Sequence, residues 1–270
     1  MNRILSSITL ALAALCFNIP TIRADDTPAV KTTDDTTAIS TSITPAFASS
    51  YMFRGSLLGK ESFQPTVSST YGGLNLLVWV NTPVSAKEKL TGQPTVEYDP
   101  QGSYTFALTD SLSIQPGFTW YNYSAAVDGD GLYRSTFEPN LAVSYTVADI
   151  TLTPKAYYDV VLRGPTYELS AAHSIPWKAF GTEFDLLGTI GTYDQADVVK
   201  GSKKDTKAWG DYWLLGVTCP FEITKGSQLS IGWAYTKGWD SYSKEGTAPK
   251  VINTSAVGRG VVTVSYNLTF

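Results

Sequence analysis

Histidine, cysteine and charged side chains are scarce in this chain of 270 residues. One His and two Cys are too few for a common zinc site or a disulfide framework. Charged residues make up 16% of the chain, whereas an average soluble domain has about 25%. Aromatic residues make up 13%, which argues against intrinsic disorder because disordered chains have few aromatics.

Long apolar runs are absent beyond the N-terminus, where the longest is the segment 76–80, LLVWV. A membrane-spanning helix would need about 20 such residues. The N-terminus itself has Arg3, an apolar stretch over 4–19, and then Asp25. This pattern predicts a cleaved signal peptide at residues 1–24 and export from the cytoplasm. The polar segment 25–41 is predicted to be a flexible periplasmic N-terminal segment.

The charge balance is acidic. Removal of Arg3 and Arg23 with the signal peptide would leave 18 basic and 24 acidic residues, a formal charge of −6. Nucleic-acid binding depends on basic surface that replaces counterions, so we expect no nucleic-acid partner. Cys219 would be the only cysteine of the mature chain. The sequence also has no motif for a cofactor, so we expect none.

From residue 42 onwards the chain alternates between apolar and polar residues, the pattern of half-buried strands. Five short turns, near residues 72, 110, 148, 181 and 225, alternate with six connections that are mostly longer and more polar. These loops are predicted at about 55–61, 83–93, 125–132, 163–166, 194–207 and 238–256. Short turns at one end and longer loops at the other are typical of outer-membrane barrels. The sequence therefore predicts an all-β protein: a transmembrane up-and-down antiparallel β-barrel of about 12 strands over residues 42–270. The alternative is a soluble sandwich, which also has short alternating strands.

The C-terminal segment gives the clearest alternation, with Tyr266, Leu268 and Phe270 on one face. A terminal aromatic in such a strand is similar to the signal that the bacterial barrel-assembly machinery recognises. We therefore predict that this machinery is a partner, together with the lipids of the cell outer membrane.

Polar strand positions are predicted to face the lumen, because a charge facing lipid at mid-membrane is costly. These positions carry seven acidic and three basic side chains. The predicted lumen or pore residues are Arg54, Trp79, Asn81, Glu97, Asp99, Gln101, Tyr121, Arg134, Glu138, Lys155, Asp159, Glu168, Glu183 and Asp185. Five prolines on the lipid-facing phase are expected at strand ends or bulges, because proline removes a ladder donor: Pro45, Pro65, Pro100, Pro116 and Pro154.

The sequence contains little evidence of an enzyme active site. A lipid hydrolase of the barrel wall would need His173, but Ser174 lies on the opposite face of the same strand. Asp128 and Asp130 resemble part of a calcium loop but lack its remaining ligands. We therefore expect neither catalysis nor a metal site.

The segment 49–55, SSYMFRG, resembles the S-x-Y-x-F-R-G motif of the Gcw-type conserved hypothetical proteins of Gram-negative bacteria, which are regarded as outer-membrane proteins. Residues 73–81, the pair Glu97 and Asp99, and the stretch 118–123 are similar to further motifs of that family. Asn75 and Leu77 depart from its pattern. The resemblance implies a barrel without an assigned function or known catalytic residues. It singles out seven positions: Arg54, Trp79, Asn81, Glu97, Asp99, Tyr121 and Glu138.

Two hypotheses follow for these positions. The first is a monomeric, narrow, passive channel for small polar solutes or cations, selected by an acidic lumen and by loops near 83–93 and 238–256. The second is a structural or envelope-interaction barrel, in which a polar network around Arg54 braces a plugged lumen. A lipid-modifying enzyme is the third and least favoured possibility.

Overall fold

The computed structural model describes residues 38–84, 96–124, 134–161, 163–196, 207–240 and 258–270. The predicted signal peptide, the loop with Asp128 and Asp130, and most of the 83–93 and 238–256 loops lie outside these ranges. Seventeen strands are present in the described ranges, with one short 3-10 helix at Lys178–Phe180. The strands are β1 (Ser40–Thr44), β2 (Ala46–Ala48), β3 (Tyr51–Phe53), β4 (Ser56–Gly59), β5 (Ser62–Phe63), β6 (Thr66–Tyr71), β7 (Leu74–Pro83), β8 (Glu97–Tyr104), β9 (Phe106–Ala107), β10 (Leu112–Tyr123), β11 (Ser135–Val147), β12 (Ile150–Asp159), β13 (Gly164–Trp177), β14 (Thr182–Ala196), β15 (Lys207–Thr224), β16 (Ser227–Asp240) and β17 (Arg259–Thr269).

Fifteen of these strands form one antiparallel sheet that closes on itself. β1 and β2 are two parts of the first barrel strand, β5 and β6 of the second, and β8 and β9 of the fourth. Each remaining barrel strand is a single element, so the barrel has twelve. Closure comes from β17, which pairs with β1 through Leu268 and Ile43, and with β2 through Val264 and Phe47. The predicted twelve-stranded antiparallel barrel is confirmed.

The two ends of the barrel differ in their connections. The tight turns at 72–73, 108–111, 148–149, 178–181 and 225–226 all lie at one end, which we call the turn end. The longer connections lie at the other end, which we call the loop end. β1 begins at Ser40, two residues before the predicted start of the barrel. The C-terminal Phe270 lies at the turn end, where its backbone pairs with that of Thr41.

The wall of the barrel is apolar outside and polar inside. Along β17, Val262 and Val264 are exposed on the outer surface, whereas Thr263 and Ser265 are buried in the interior. The same alternation runs around the barrel, as membrane-spanning barrels require. The mean hydropathy of −0.05 is therefore an average over two unlike faces.

Among the described residues, no helix is both long enough and apolar enough to cross a membrane.

The prolines only partly follow the expectation. Pro45 separates β1 from β2 and Pro65 separates β5 from β6, as expected of strand breaks. Pro100, Pro116 and Pro154 instead lie inside strands, which corrects the prediction for these three. Each is paired with a neighbouring strand on one side, while the ladder on its other side is interrupted there. A missing N–H therefore interrupts one ladder without ending the strand.

The remaining two strands are not part of the wall. β3 and β4 form a separate two-stranded sheet between β2 and β5, at the loop end. Tyr51, Met52 and Leu57 in this sheet are at most 3% exposed. We call residues 51–59 the lumen hairpin, because they fold into the barrel. The sequence predicted a loop at 55–61, and that prediction is corrected here.

Candidate functional site

The turn of the lumen hairpin has an uncommon backbone. Arg54 has φ 45° and Gly55 has φ 76°, and two successive residues with positive φ are the signature of a type I′ hairpin turn. Glycine accepts this conformation without strain, whereas arginine adopts it at a cost. Such a conformation persists only where surrounding contacts enforce it, so the contacts of Arg54 must hold it in place.

The turn is held against the wall at Gly238 of β16. The backbone N–H of Gly238 donates to the carbonyl oxygen of Gly55 at 3.0 Å. A Cβ atom on Gly55 would lie 2.4 Å from the nitrogen of Gly238. Two glycines are therefore needed for the hairpin to approach the strand this closely.

One side of the hairpin is apolar. Met52 and Leu57 pack in a small core inside the barrel, and burial of such side chains is worth about 1.5–3 kcal/mol each. The wall contributes four side chains to this core: Ala48, Leu214, Ala234 and Val261. Most of the interior is polar, so this patch specifies where the hairpin lies.

The guanidinium of Arg54 reaches Glu138 of β11, the sixth barrel strand, on the far side of the lumen. Its Nη2 donates to both carboxylate oxygens of Glu138 at 2.9 Å. The hydroxyl of Tyr121 on β10 donates to Glu138 Oε2, also at 2.9 Å. Glu138 is fully buried and Arg54 nearly so. This buried ion pair joins the hairpin, which lies inside the lumen, to the opposite wall.

Aromatic rings surround the same guanidinium. Its Cζ lies 4.7 Å from the ring centre of Phe53 and 5.1 Å from that of Tyr157, within the range of cation–π attraction. Tyr157 and Tyr212 both donate hydroxyl hydrogen bonds to Glu168 on β13. The network therefore runs from the hairpin through tyrosines to the wall strands β12, β13 and β15.

The buried charges of the lumen are almost all negative. Within the described ranges, Arg54 is the only buried base, against seven buried acids. The acids are Glu97, Asp99, Glu138, Asp159, Glu168, Asp185 and Asp194. All except Asp185 lie in the loop half of the barrel, so the negative charge is concentrated around the hairpin.

The turn half of the lumen has a different lining. Pairs of hydroxyls bridge neighbouring strands, such as Ser42 to Ser68 at 2.7 Å and Ser144 to Thr153 at 3.0 Å. A polar cavity lies towards this half. Its lining includes Asn75, Gln101, Ser103, Gln115, Asn140 and Lys155. Hydroxyl and amide groups therefore replace the acids and aromatics of the loop half.

The structure places most of the predicted lumen residues in the interior. Buried positions are Arg54, Trp79, Asn81, Glu97, Asp99, Tyr121, Glu138, Asp159, Glu168 and Asp185. Gln101, Lys155 and Glu183 are half-buried, with Glu183 close to the turn end. Arg134 is exposed and precedes β11, so it lies beyond the strand rather than in the wall. Arg54 is on the lumen hairpin, not on a barrel strand as the prediction assumed.

His173 lies in β13 near the turn end. Its Nδ1–H donates to the backbone carbonyl of Asp149 at 2.8 Å. Ser174 points inward and donates to Asp185 at 2.6 Å. The two side chains therefore face opposite sides of the wall and do not form a nucleophile–base pair.

Sequence reasoning did not single out the inward tyrosines Tyr51, Tyr157, Tyr193 and Tyr212, all of which are buried. Alternation could have identified Tyr157, because it shares the phase of Lys155 and Asp159. Tyr51 had no such signal, because it is part of a hairpin that the periodicity of the wall does not describe.

The barrel is similar in fold to solved outer-membrane proteins. It matches the NanC porin with a TM-score of 0.50 and 11% identity, over 84% of this chain and 98% of that one. The KdgM porin matches with a TM-score of 0.48 and 12% identity, over 86% and 99%. LpxR from Salmonella typhimurium matches with a TM-score of 0.45 and 8% identity, over 86% and 100%. The chain matches no protein-family model and no curated protein. At these identities the similarity shows the fold alone, that of an outer-membrane barrel.

Proposed function

We propose that this protein is a narrow, passive channel of the outer membrane for small cations and small polar solutes, constricted by the lumen hairpin. The observation that carries the proposal is the charge of the described interior, with seven buried acids against one buried arginine. An acidic lining attracts cations and repels anions. In the low dielectric of a narrow lumen this preference is stronger than in open water.

The distribution of the acids supports a filter at one end. Six of the seven lie in the loop half, where the hairpin occupies part of the lumen. The polar cavity towards the turn half would be the wider, less selective part of the same path. A solute would therefore be selected at the hairpin and released past the hydroxyl-lined half.

Location and partners belong to the same proposal. The predicted signal peptide at 1–24 would export the chain, and the apolar outer wall would contact outer-membrane lipids. The turn end, where β1 begins and β17 ends, would face the periplasm. Tyr266, Leu268 and Phe270 would serve the barrel-assembly machinery, and we expect the folded barrel to be a monomer without a cofactor.

A second candidate function is a structural or envelope-interaction barrel with a plugged lumen. The ion pair between Arg54 and Glu138, the aromatic contacts of Arg54 and the apolar packing of Met52 and Leu57 favour it, because they hold the hairpin firmly in place. Conduction separates the two candidates.

The test is single-channel recording of the refolded full chain in planar lipid bilayers. We expect discrete conductance steps and a reversal potential of cationic sign in a potassium chloride gradient. A barrel that inserts without any conductance step would contradict the channel and support the plugged barrel. An anionic reversal potential would contradict the proposed selectivity.

Charge-neutralising variants locate the selectivity. We expect Glu97→Gln together with Asp99→Asn to lower the cation selectivity of the channel. Glu222→Gln is the control, because it removes one negative charge at an exposed position near the turn end and should leave selectivity unchanged. Unchanged selectivity in the double variant would refute the role of these two acids.

A further inference from the structure

The lining of the polar cavity differs from the rest of the turn half in its hydrogen bonds. Elsewhere in that half, polar side chains bond to one another, as Thr44 does to Asn267 at 2.8 Å. The carboxamides of Asn75, Gln101 and Asn140 line the cavity and make no hydrogen bond with another described residue. All three residues are half-buried rather than enclosed. The wall therefore presents hydrogen-bonding groups to the lumen that the fold itself does not use.

The cavity lies over a glycine of β10. Gly117 faces inward, because its ladder partners Ser103 and Asn140 both line the cavity. A Cβ atom on Gly117 would lie 3.1 Å from Asn140 Oδ1 and 3.1 Å from Ser103 Cβ, so a side chain would fill the space between them. Gln115 and Thr119, two residues away on either side, have the same inward phase. The missing side chain leaves a hollow with polar groups on all four sides.

The lining contains no acid. Within the described chain, Lys155 is the one charged side chain that lines the cavity, and its Nζ lies 4.8 Å from the ring centre of Tyr157. This ammonium and the amide N–H groups disfavour a bare cation. Leu77, which is opposite Gln101 in the ladder, adds an apolar side chain to the lining. Recognition here depends on hydrogen bonds rather than on charge.

We propose that this cavity binds a small uncharged solute rich in hydroxyl groups, a monosaccharide or a polyol, on its way through the lumen. A carboxamide has a donor and an acceptor side by side, and a hydroxyl group both donates and accepts. Several such pairs fix the orientation of a solute, while Leu77 contacts its C–H surface. An anionic sugar would be repelled by the six acids of the loop half. The inference rests on the proposed channel for the route of the solute to the cavity.

Binding is measured at equilibrium, without conduction, by saturation-transfer difference NMR. The full chain is refolded in lauryldimethylamine oxide, a detergent without a sugar headgroup, and the probes are glucose, galactose and mannitol. We expect a saturable signal from at least one of the three. A barrel that conducts cations but gives no saturable signal with any probe would overturn the solute site and leave the channel standing. Saturable binding to a barrel that does not conduct would contradict the channel and support the site.

Leucine variants locate the solute. Gln101→Leu and Asn140→Leu keep a side chain of similar size but remove the amide, so each should weaken binding by about three- to tenfold, the loss expected for one hydrogen bond. Asn267→Leu is the matched control in the same half of the lumen, because its amide is occupied by Thr44 and Thr269. We expect it to bind as the unmodified chain does. Equal losses in Asn267→Leu and Asn140→Leu would refute a defined site.

Ser103→Ala is the milder change in the same lining. It removes one hydroxyl beside Gly117 and should weaken binding by about threefold. This variant decides the matter if a leucine variant fails to fold, as judged by the heat-modified gel mobility of folded barrels. Undiminished binding in Ser103→Ala and in every folded leucine variant would place the solute elsewhere and contradict the proposal.

Discussion

The loop half and the turn half of the lumen are built from the same strands but filled differently. The loop half has a folded-in hairpin, clustered aromatics, six buried acids and a buried ion pair across the barrel. The turn half has short hydroxyl pairs between adjacent strands and a polar cavity. Local pairs brace the wall of the turn half, whereas long-range contacts fill the loop half. Constriction and wall stability are therefore separate properties of one barrel.

The largest expected effect is removal of the hairpin. Ala48 on β2 and Ser62 on β5 are already opposite each other in the sheet. Residues 50–60 can therefore be replaced by Asn-Gly, a two-residue hairpin turn. We expect a several-fold larger single-channel conductance, because the loop half would then be as open as the turn half. Gel mobility before and after heating checks that the barrel is folded. An unchanged conductance would show that the hairpin does not constrict the lumen.

Breaking the ion pair is the next largest change. Arg54→Ala would leave Glu138 buried without its partner, at an expected cost of about 3–5 kcal/mol in the free energy of unfolding. The measurement is urea unfolding of the refolded barrel in lipid vesicles. The double variant Arg54→Met with Glu138→Leu is the control and should lose much less, because no charge stays unpaired. Equal losses of unfolding free energy in the single and double variants would contradict a cost of leaving Glu138 unpaired.

The close approach of the hairpin to the wall gives a smaller effect. Gly55→Ala forces a side chain into positive φ and towards Gly238, so we expect a loss of about 1–3 kcal/mol in unfolding free energy. Gly188→Ala is the matched control in the wall, where a Cβ would meet only Leu215 Cδ2 at 3.5 Å. We expect that variant to be neutral or more stable by about 0.5–1 kcal/mol. The reverse order would contradict the tight contact at Gly238.

The smallest effect is expected in the turn half. Ser144→Ala removes one side of a hydroxyl pair with Thr153 and should cost about 1 kcal/mol, with conductance unchanged. The same unfolding and bilayer measurements check it. A conductance change as large as that of the hairpin deletion would remove the distinction between the two halves.

The sequence by itself determined the barrel. Alternating residues create one apolar and one polar face, and this period is local, so it predicts the wall, the strand number and the inward side of Glu97, Asp99 and Glu138. The alternation of short and long connections determined which end is which. The ladder interruptions at Pro100, Pro116 and Pro154 also follow from single residues, because proline has no N–H to donate. That these prolines lie inside strands was not predicted.

Only the tertiary structure decided how the lumen is filled. The hairpin 51–59 follows no period of the wall, and its position depends on partners far away in the chain: Glu138, Leu214 and Gly238. An ion pair between residues 84 positions apart has no local signature, because it forms only when the barrel closes and brings the opposite walls together. The wall thus follows from the period of the sequence, while the constriction follows from closure.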